Sequence, residues 1–226
     1  MPTIYEFLDL SHKRFVYAVG DIHGRFNALD VLLEKAKFDK EQDFLISVGD
    51  LVDRGDANHR CVEYIGKPWF KHVIGNHEEM TLGHIQGDSY IHTINGGGWL
   101  TKLPIEEQEY TVEQLMNSSY LLEVKTPKNN LCGFVHADLK WGTWQENIET
   151  PDIKTFTWSR EGVRALRQPF FDPTIKGIDK VFFGHNAMYS PVKRGNCYWI
   201  DTGSGFADGY LTLINVDTDT YTKETI

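Results

Sequence analysis

Three short, mostly apolar runs end in glycine, and each leads into a stretch of helical period: Phe15–Gly20 (FVYAVG), Phe44–Gly49 (FLISVG) and Lys71–Gly75 (KHVIG). Continuous apolar runs of this length suit strands buried on both faces. After the first run, Asn27–Lys37 carries Ala28, Leu29, Leu32, Leu33 and Ala36 at helical spacing. Asn58–Ile65 is a shorter helical candidate, and Asn76–Gln86 opens on an asparagine suited to an N-cap, followed by Glu78 and Glu79. This β-α-β-α-β-α order predicts a parallel sheet with crossover helices, and such sheets bind ligands beyond the carboxyl ends of their strands. The three glycine-terminated ends are therefore expected to meet in one crevice.

The polar stretch Glu106–Ser119 reads as helical and is expected to lie over or beside that crevice. Beyond it, Tyr120–Val124, Leu131–His136, Lys180–Gly184, Tyr198–Asp201 and Tyr210–Val216 read as strands, with turn signals at Lys128–Asn130 and Arg194–Asn196. They predict a second sheet, built largely strand after strand. The Thr-rich tail Asp217–Ile226 fits an edge strand or a frayed end. No repeat, low-complexity block or Ser/Pro-rich linker divides the chain, so residues 1–226 are read as a single domain.

At 226 residues and 41% hydrophobic, the chain has ample material for a core and is not intrinsically disordered. No apolar run reaches the length of a membrane span, and Met1–Arg14 lacks a secretory apolar segment. Cys61, Cys132 and Cys197 are widely spaced without a CxxC pair, which argues against a disulfide framework or a thiolate zinc site. A soluble, cytoplasmic protein is expected. A net charge of −9 speaks against broad binding to nucleic acid or acidic membranes. An anionic substrate would need local cations to attract it.

Chemistry concentrates at the predicted strand ends. Asp21-Ile22-His23-Gly24 follows the first strand, Asp50-Leu51-Val52-Asp53-Arg54-Gly55 the second, and Asn76-His77-Glu78 the third. In an extended segment residues i and i+2 point to the same side, so Asp21 and His23 can reach one metal ion, and Gly24 lets the chain turn tightly afterwards. Asp50, on the neighbouring strand, is placed to bridge two ions. Asn76 adds a neutral oxygen, and His136 and His185 follow strand-like runs of their own. This mixed oxygen and imidazole set suits Mn²⁺, Fe or Zn²⁺ and would be unusual for Ca²⁺ or an all-oxygen Mg²⁺ cage. His12, His59, His72, His84 and His92 lack such settings and are assigned to surface or packing roles. Asn95-Gly96-Gly97-Gly98-Trp99 lacks the partners of a phosphate-cradling loop and reads as a flexible turn with a packed tryptophan, and Trp141, Trp144 and Cys132 read as core.

The triplet GDIHG (Gly20–Gly24), GDLVDRG (Gly49–Gly55) and GNHE (Gly75–Glu78) resembles the signature of the phosphoprotein phosphatase family within the calcineurin-like metallophosphoesterases, and especially its compact phage and bacterial members. The resemblance continues through His136 in FVHAD, Trp158-Ser159-Arg160, Gly184-His185 and Ile200–Gly203, covering most of the chain. It implies an α/β fold with a central β-sandwich of mixed sheets flanked by helices. It places Asp21, His23 and Asp50 on one divalent metal ion and Asp50, Asn76, His136 and His185 on the other, most readily Mn²⁺. It makes His77 the general acid, Asp53 the carboxylate that orients it, and Arg54 and Arg160 the holders of phosphoryl oxygens. Two departures are present: the family's WNR is here Trp158-Ser159-Arg160, and its GHTP is Gly184-His185-Asn186-Ala187. Neither removes a proposed ligand.

The activity so implied is a metal-dependent serine/threonine protein phosphatase, with phosphotyrosine as a further substrate, in which a hydroxide bridging the metal pair attacks phosphorus directly. Its partner is a phosphoprotein, and a monomer is the default expectation. The alternative on the same scaffold is a symmetrical dinucleoside tetraphosphatase, for which Asp53 is expected to be replaced and the third motif to read GNHD. A binding module that has lost the chemistry is a third reading, and the complete ligand set together with His77 weighs against it.

Overall fold

The computed structural model describes residues 2–226. In chain order the strands are β1 (Thr3–Asp9), β2 (Val16–Val19), β3 (Phe44–Ser47), β4 (Phe70–His72), β5 (Ser119–Lys125), β6 (Leu131–Val135), β7 (Lys180–Phe183), β8 (Val192–Arg194), β9 (Cys197–Trp199), β10 (Tyr210–Asn215) and β11 (Tyr221–Thr225). The helices are α1 (Phe26–Lys35), α2 (Cys61–Tyr64), α3 (Asn76–Ile85), α4 (Ser89–Ile94), α5 (Ile105–Met116), α6 (Trp144–Glu149), α7 (Ile153–Trp158) and α8 (Glu161–Ala165). Two 3-10 turns, Asn58–Arg60 and Gly97–Lys102, complete the set. Among the described residues no helix is long and apolar enough to cross a membrane.

The strands form two mixed sheets, ordered β1-β5-β6-β7-β9-β8 and β11-β10-β2-β3-β4. As predicted, β2, β3 and β4 are parallel neighbours. In the other sheet β6, β7 and β9 are also parallel. The second half is therefore not simply strand after strand: α6, α7 and α8 are inserted between β6 and β7. The half-exposed β1 pairs in parallel with β5 across more than a hundred residues, and the tail supplies β11 as an edge strand.

Alternation along the strands sorts the core into layers. From β2 and β3, Val16, Ala18, Phe44 and Ile46 point between the sheets and meet Leu122, Val124, Cys132, Phe134 and Phe182. Tyr17, Val19 and Leu45 point the other way and pack under α1 and α2, against Phe26, Leu29, Leu32 and Tyr64. On the far side, Val135, Val181, Phe183 and Trp199 pack with Leu121, Trp144 and Phe156. Trp141, Trp144 and Cys132 are packing residues, as expected, and burial pushes the Cys132 thiol up to about 12.

Helix α5 differs from the expected cap. It buries Thr111, Val112, Leu115 and Met116 against the body, and none of its residues lines the central cleft. Its amphipathic face seeks apolar cover, and its polar face is left to solvent.

Candidate active site

The carboxyl ends of β2, β3, β4, β6 and β7 converge, so donors from both sheets face one cleft of about 120 Å³. Asp50, Arg54, Asn76, His77, Arg160, His185 and Asp201 line it together with Asn95, Trp158, Ala187 and Phe206. His23, Asp50 and His77 offer ligand atoms within 4.8 Å of one another, and so do Asp50, His136 and His185. Asp50 belongs to both groups, and Asn76 Oδ1 lies 3.0 Å from His136 Nε2 and 2.9 Å from His185 Nδ1. Asp21 stands beside these groups, accepting the backbone N–H of His185 at 3.0 Å.

Local backbone geometry explains the motif spacing. His23, Asp50, Asp53, Arg54 and His185 all adopt φ between 46° and 74°. Such left-handed conformations cost non-glycine residues roughly 1–3 kcal/mol each and persist only when their surroundings impose them. Here the imposing groups are visible. Glu78 accepts the N–H of Asp50 at 2.9 Å, of Leu51 at 2.8 Å and of Gly75 at 2.8 Å, tying the start of α3 to the loop after β3. Gly49, at φ 95°, is required by close approach: a Cβ there would lie 2.9 Å from His136 Nδ1 and 3.0 Å from the Gly75 nitrogen. Asn76 is not an N-cap. Gly75 holds that position, and the asparagine side chain is thereby turned to His136 and His185.

Backbone carbonyls set the imidazole tautomers. His23 Nδ1–H donates to the Val52 carbonyl at 3.0 Å and His136 Nδ1–H to the Val48 carbonyl at 2.8 Å, so both present Nε2 to the centre. This is the arrangement that orients histidines toward a metal. Burial and the charge of Asp201 push the Asp21 carboxyl well above the usual range, and burial lifts Asp201 to about 6. Burial likewise pushes His23 and His185 down to about 3. His185 Nε2 is a buried polar atom without a hydrogen-bond partner. His136 goes the other way: burial would lower it, but the Asp50 carboxylate raises it to about 10, so a proton on that ring supplies positive charge that this buried carboxylate set demands, and the donor chemistry fits divalent metal.

A second polar chain runs behind the cleft. His77 Nδ1–H donates to Asp53 Oδ2 at 2.6 Å, while Asp53 Oδ1 accepts from His92 Nε2–H at 2.9 Å and Trp99 Nε1–H at 2.7 Å. With His92 Nε2 donating, its Nδ1 accepts, and His84 Nδ1–H donates to it at 2.8 Å. Burial alone would raise Asp53, but hydrogen bonds from His77 and His92 outweigh it and hold the carboxylate below the usual range. The expectation for His84 and His92 is corrected accordingly. His92 is fully buried and hydrogen-bonded to a site residue, because the turn after α3 folds α4 back over Asp53. The Asn95–Trp99 segment is likewise more than a flexible turn, since Trp99 holds Asp53 and the Gly96 carbonyl accepts the Arg54 N–H. His72 is a packing residue, its Nε2–H bonded to the Leu115 carbonyl at 2.8 Å, and His12 and His59 are exposed.

Sequence reasoning missed Asp201, Glu78 as a loop clamp, and the His92–Trp99 support. Signals were present for each: Glu78 closes the GNHE motif, Asp201 lies in the Ile200–Gly203 segment, and the glycine run Gly96–Gly98 marks close backbone approach. Arg54 spans the front, donating to His23 Nε2 at 2.9 Å and His77 Nε2 at 3.0 Å with Phe206 stacked 5.2 Å from its guanidinium carbon. Arg160 joins it across the cleft mouth beside Trp158, whose indole N–H donates to Glu79.

The family model for calcineurin-like phosphoesterases matches residues 16–202. A serine/threonine-protein phosphatase 1 of Salmonella typhimurium is 34% identical over 94% of this chain and 97% of its own length. A serine/threonine-protein phosphatase 2 of the same organism is 31% identical over 90% and 93%. A symmetrical bis(5'-nucleosyl)-tetraphosphatase of Coxiella burnetii is 30% identical over 75% of this chain but 55% of its own. Among solved structures, one provisionally assigned as a diadenosine tetraphosphatase superposes with a TM-score of 0.72 at 20% identity, covering 98% of this chain and 97% of that one, a likeness of fold. The matched span runs from β2, the first strand to feed the cleft, through the segment after β9 that carries Asp201, and whole-length relatives agree with it: the chain belongs to the calcineurin-like phosphoesterase family and is a phosphoesterase.

Proposed function

We propose that this phosphoesterase is a metal-dependent protein phosphatase acting on phosphoserine and phosphothreonine, and on phosphotyrosine as well. One pairing carries the reading: His77, held by Asp53 at 2.6 Å, stands beside the donor groups that share Asp50 and opposite two arginines. Similarity to the two Salmonella protein phosphatases over nearly their whole lengths supports that substrate class.

The family uses a dinuclear metal centre, and the buried Asp and His cluster fits one. We assign Asp21, His23 and Asp50 to one cation and Asp50, Asn76, His136 and His185 to the other, with Mn²⁺ as the working metal and Fe or Zn²⁺ compatible with the donors. When bound, the pair supplies an acidified water as nucleophile and positive charge for the phosphoryl group.

The chain's own residues do the rest. Asp53 holds the proton on His77 Nδ1, so Nε2 is the atom that faces the cleft; it takes up a second proton from solvent, delivers it to the departing alkoxide or phenoxide, and leaves the ring neutral with Nδ1–H still on Asp53. Arg54 donates to that same nitrogen at 3.0 Å, so a phosphoryl oxygen that captures the guanidinium frees the imidazole for the leaving group. Arg54 and Arg160 clamp the equatorial oxygens through charge-assisted bonds. No serine or cysteine lies among the residues lining the cleft, consistent with direct hydrolysis.

The test is phosphate release by metal-stripped protein resupplied with Mn²⁺, run in parallel on a phosphoserine peptide and on diadenosine tetraphosphate. Preferential turnover of the peptide is expected. Preferential cleavage of the nucleotide would overturn the substrate class, and silence on both would leave a binding module.

A further inference from the structure

Beside the cleft lies a larger cavity of about 480 Å³, lined by Arg160, Arg164 and Arg167 with Asn186, Ala187 and Met188 among its walls. Arg160 and Ala187 also line the central cleft, so the two spaces share a wall. The charge here opposes that of the whole chain, whose net is −9. Arg194, the neighbouring arginine, is fully engaged with the carbonyls of Leu166, Gln168 and Pro169. By contrast, the guanidiniums of Arg160, Arg164 and Arg167 have no side-chain partner among the described residues. No acidic side chain lines this cavity, and Glu161 faces the adjoining one instead. Asn186, 6% exposed, forms part of the cavity wall, with its amide nitrogen buried behind that wall. Three unpaired guanidiniums in a concave space that shares a wall with the phosphoester cleft attract an anion.

We infer that this side cavity is a second anion subsite, which takes a carboxylate or a second phosphate on the residues flanking the phosphoester and so selects acidic phosphopeptides. The inference rests on the protein phosphatase reading and adds the substrate's local sequence to it. Arg160 couples the two spaces, with the phosphoester held on one side and the flanking anion on the other. Arg164 and Arg167 provide the recognition charge. Planar guanidinium forks suit carboxylate and phosphate oxygens alike.

The experiment compares kcat/KM of the metal-loaded full chain on three phosphoserine peptides, with alanine flanks, aspartate flanks and a second phosphoserine. Diadenosine tetraphosphate and an aryl phosphate too small to reach the side cavity run alongside. Both acidic peptides are expected to exceed the alanine peptide by about tenfold at low salt, and the advantage shrinks as ionic strength rises. The Arg164→Ala/Arg167→Ala protein is expected to lose that advantage while cleaving the aryl phosphate at the unaltered rate. A preference for one acidic peptide alone identifies the source of the anion as carboxylate or phosphate. The subsite is overturned if the unaltered protein treats all three peptides equally, or if the double variant slows every substrate by the same factor. It is also overturned if only the nucleotide depends on the two arginines. Should aryl phosphate be cleaved while no peptide is cleaved or competes with it, the protein phosphatase reading fails along with it. Peptides cleaved without preference sink the subsite alone.

Discussion

His77 and Asp53 show how much one hydrogen bond decides. With Nδ1–H committed to Asp53, the ring has a single nitrogen left for chemistry, and that nitrogen faces the cleft. Replacing His77 by Asn is expected to leave metal content intact and to slow an alkyl phosphate by about 10²–10⁴, the usual worth of a positioned acid. An aryl phosphate with a good leaving group needs less protonation and should slow less. Equal slowing of both would remove the acid role. Asp53 in turn depends on His92 and Trp99, which hold the oxygen not used by His77. The Trp99→Phe variant is expected to lower kcat on alkyl phosphates by about tenfold with little change in KM, since a lost hydrogen bond to a charged group is worth about 1.5–3 kcal/mol and only part of it reaches the transition state. A shifted pH–rate profile accompanied by normal thermal stability would separate this positioning effect from loosened packing.

At the level of elements, the motif loops are strained on purpose and braced from elsewhere. Glu78, on the first turn of α3, collects three backbone N–H groups, two from the loop after β3 and one from its own helix's N-cap Gly75, so the left-handed residues after β3 are held by a helix. A similar brace joins β4 to α5 through His72, which donates to the Leu115 carbonyl. Burial pushes His72 down to about 4 from an ordinary value near 6.5. A depressed folded-state value means that the neutral ring stabilises the protein above pH 6.5, and that this contribution is lost as pH falls through 4. The shift corresponds to about 3 kcal/mol at most. Urea denaturation of the His72→Gln protein should therefore show a shallower loss of stability between about pH 6.5 and 4 than the unaltered chain. Superimposable pH curves would show that His72 is not the acid-sensitive group.

For the whole molecule, the site sits where two sheets meet. Asp50 and Asn76 follow strands of one sheet, and His136 and His185 follow strands of the other. A cation held by that mixed set ties the sheets together, so metal binding is also stabilisation. At free metal one hundred times Kd the gain is about 2.7 kcal/mol per site. Chelation is expected to lower Tm, and Mn²⁺ to restore it. Because Asp50 belongs to both donor groups, the Asp50→Ala protein should hold neither ion and show no Mn²⁺-dependent rise in Tm. Two retained metals by elemental analysis would refute the bridging assignment. The basic side cavity belongs to this scale too, since it is assembled from α8 with its flanking residues and the segment after β7.

What the sequence determined was whatever is written within a few residues. A buried strand, its terminal glycine and the polar residues two or three positions later form one local unit, so the strand ends and the ligand candidates Asp21, His23, Asp50, Asn76, His136 and His185 could be read directly. The parallel order of β2, β3 and β4 followed from their alternation with helices. Tertiary structure alone decided the contacts made at long range. His92 and Trp99 reach Asp53 across 39 and 46 residues, and β1 joins β5 across more than a hundred. Nothing near Arg164 or Arg167 announces that Asn186 will share their cavity. Local patterns fix which backbone conformation and which face a residue presents. Which distant side chain meets that face depends on how the layers stack, and packing is a property of the whole core.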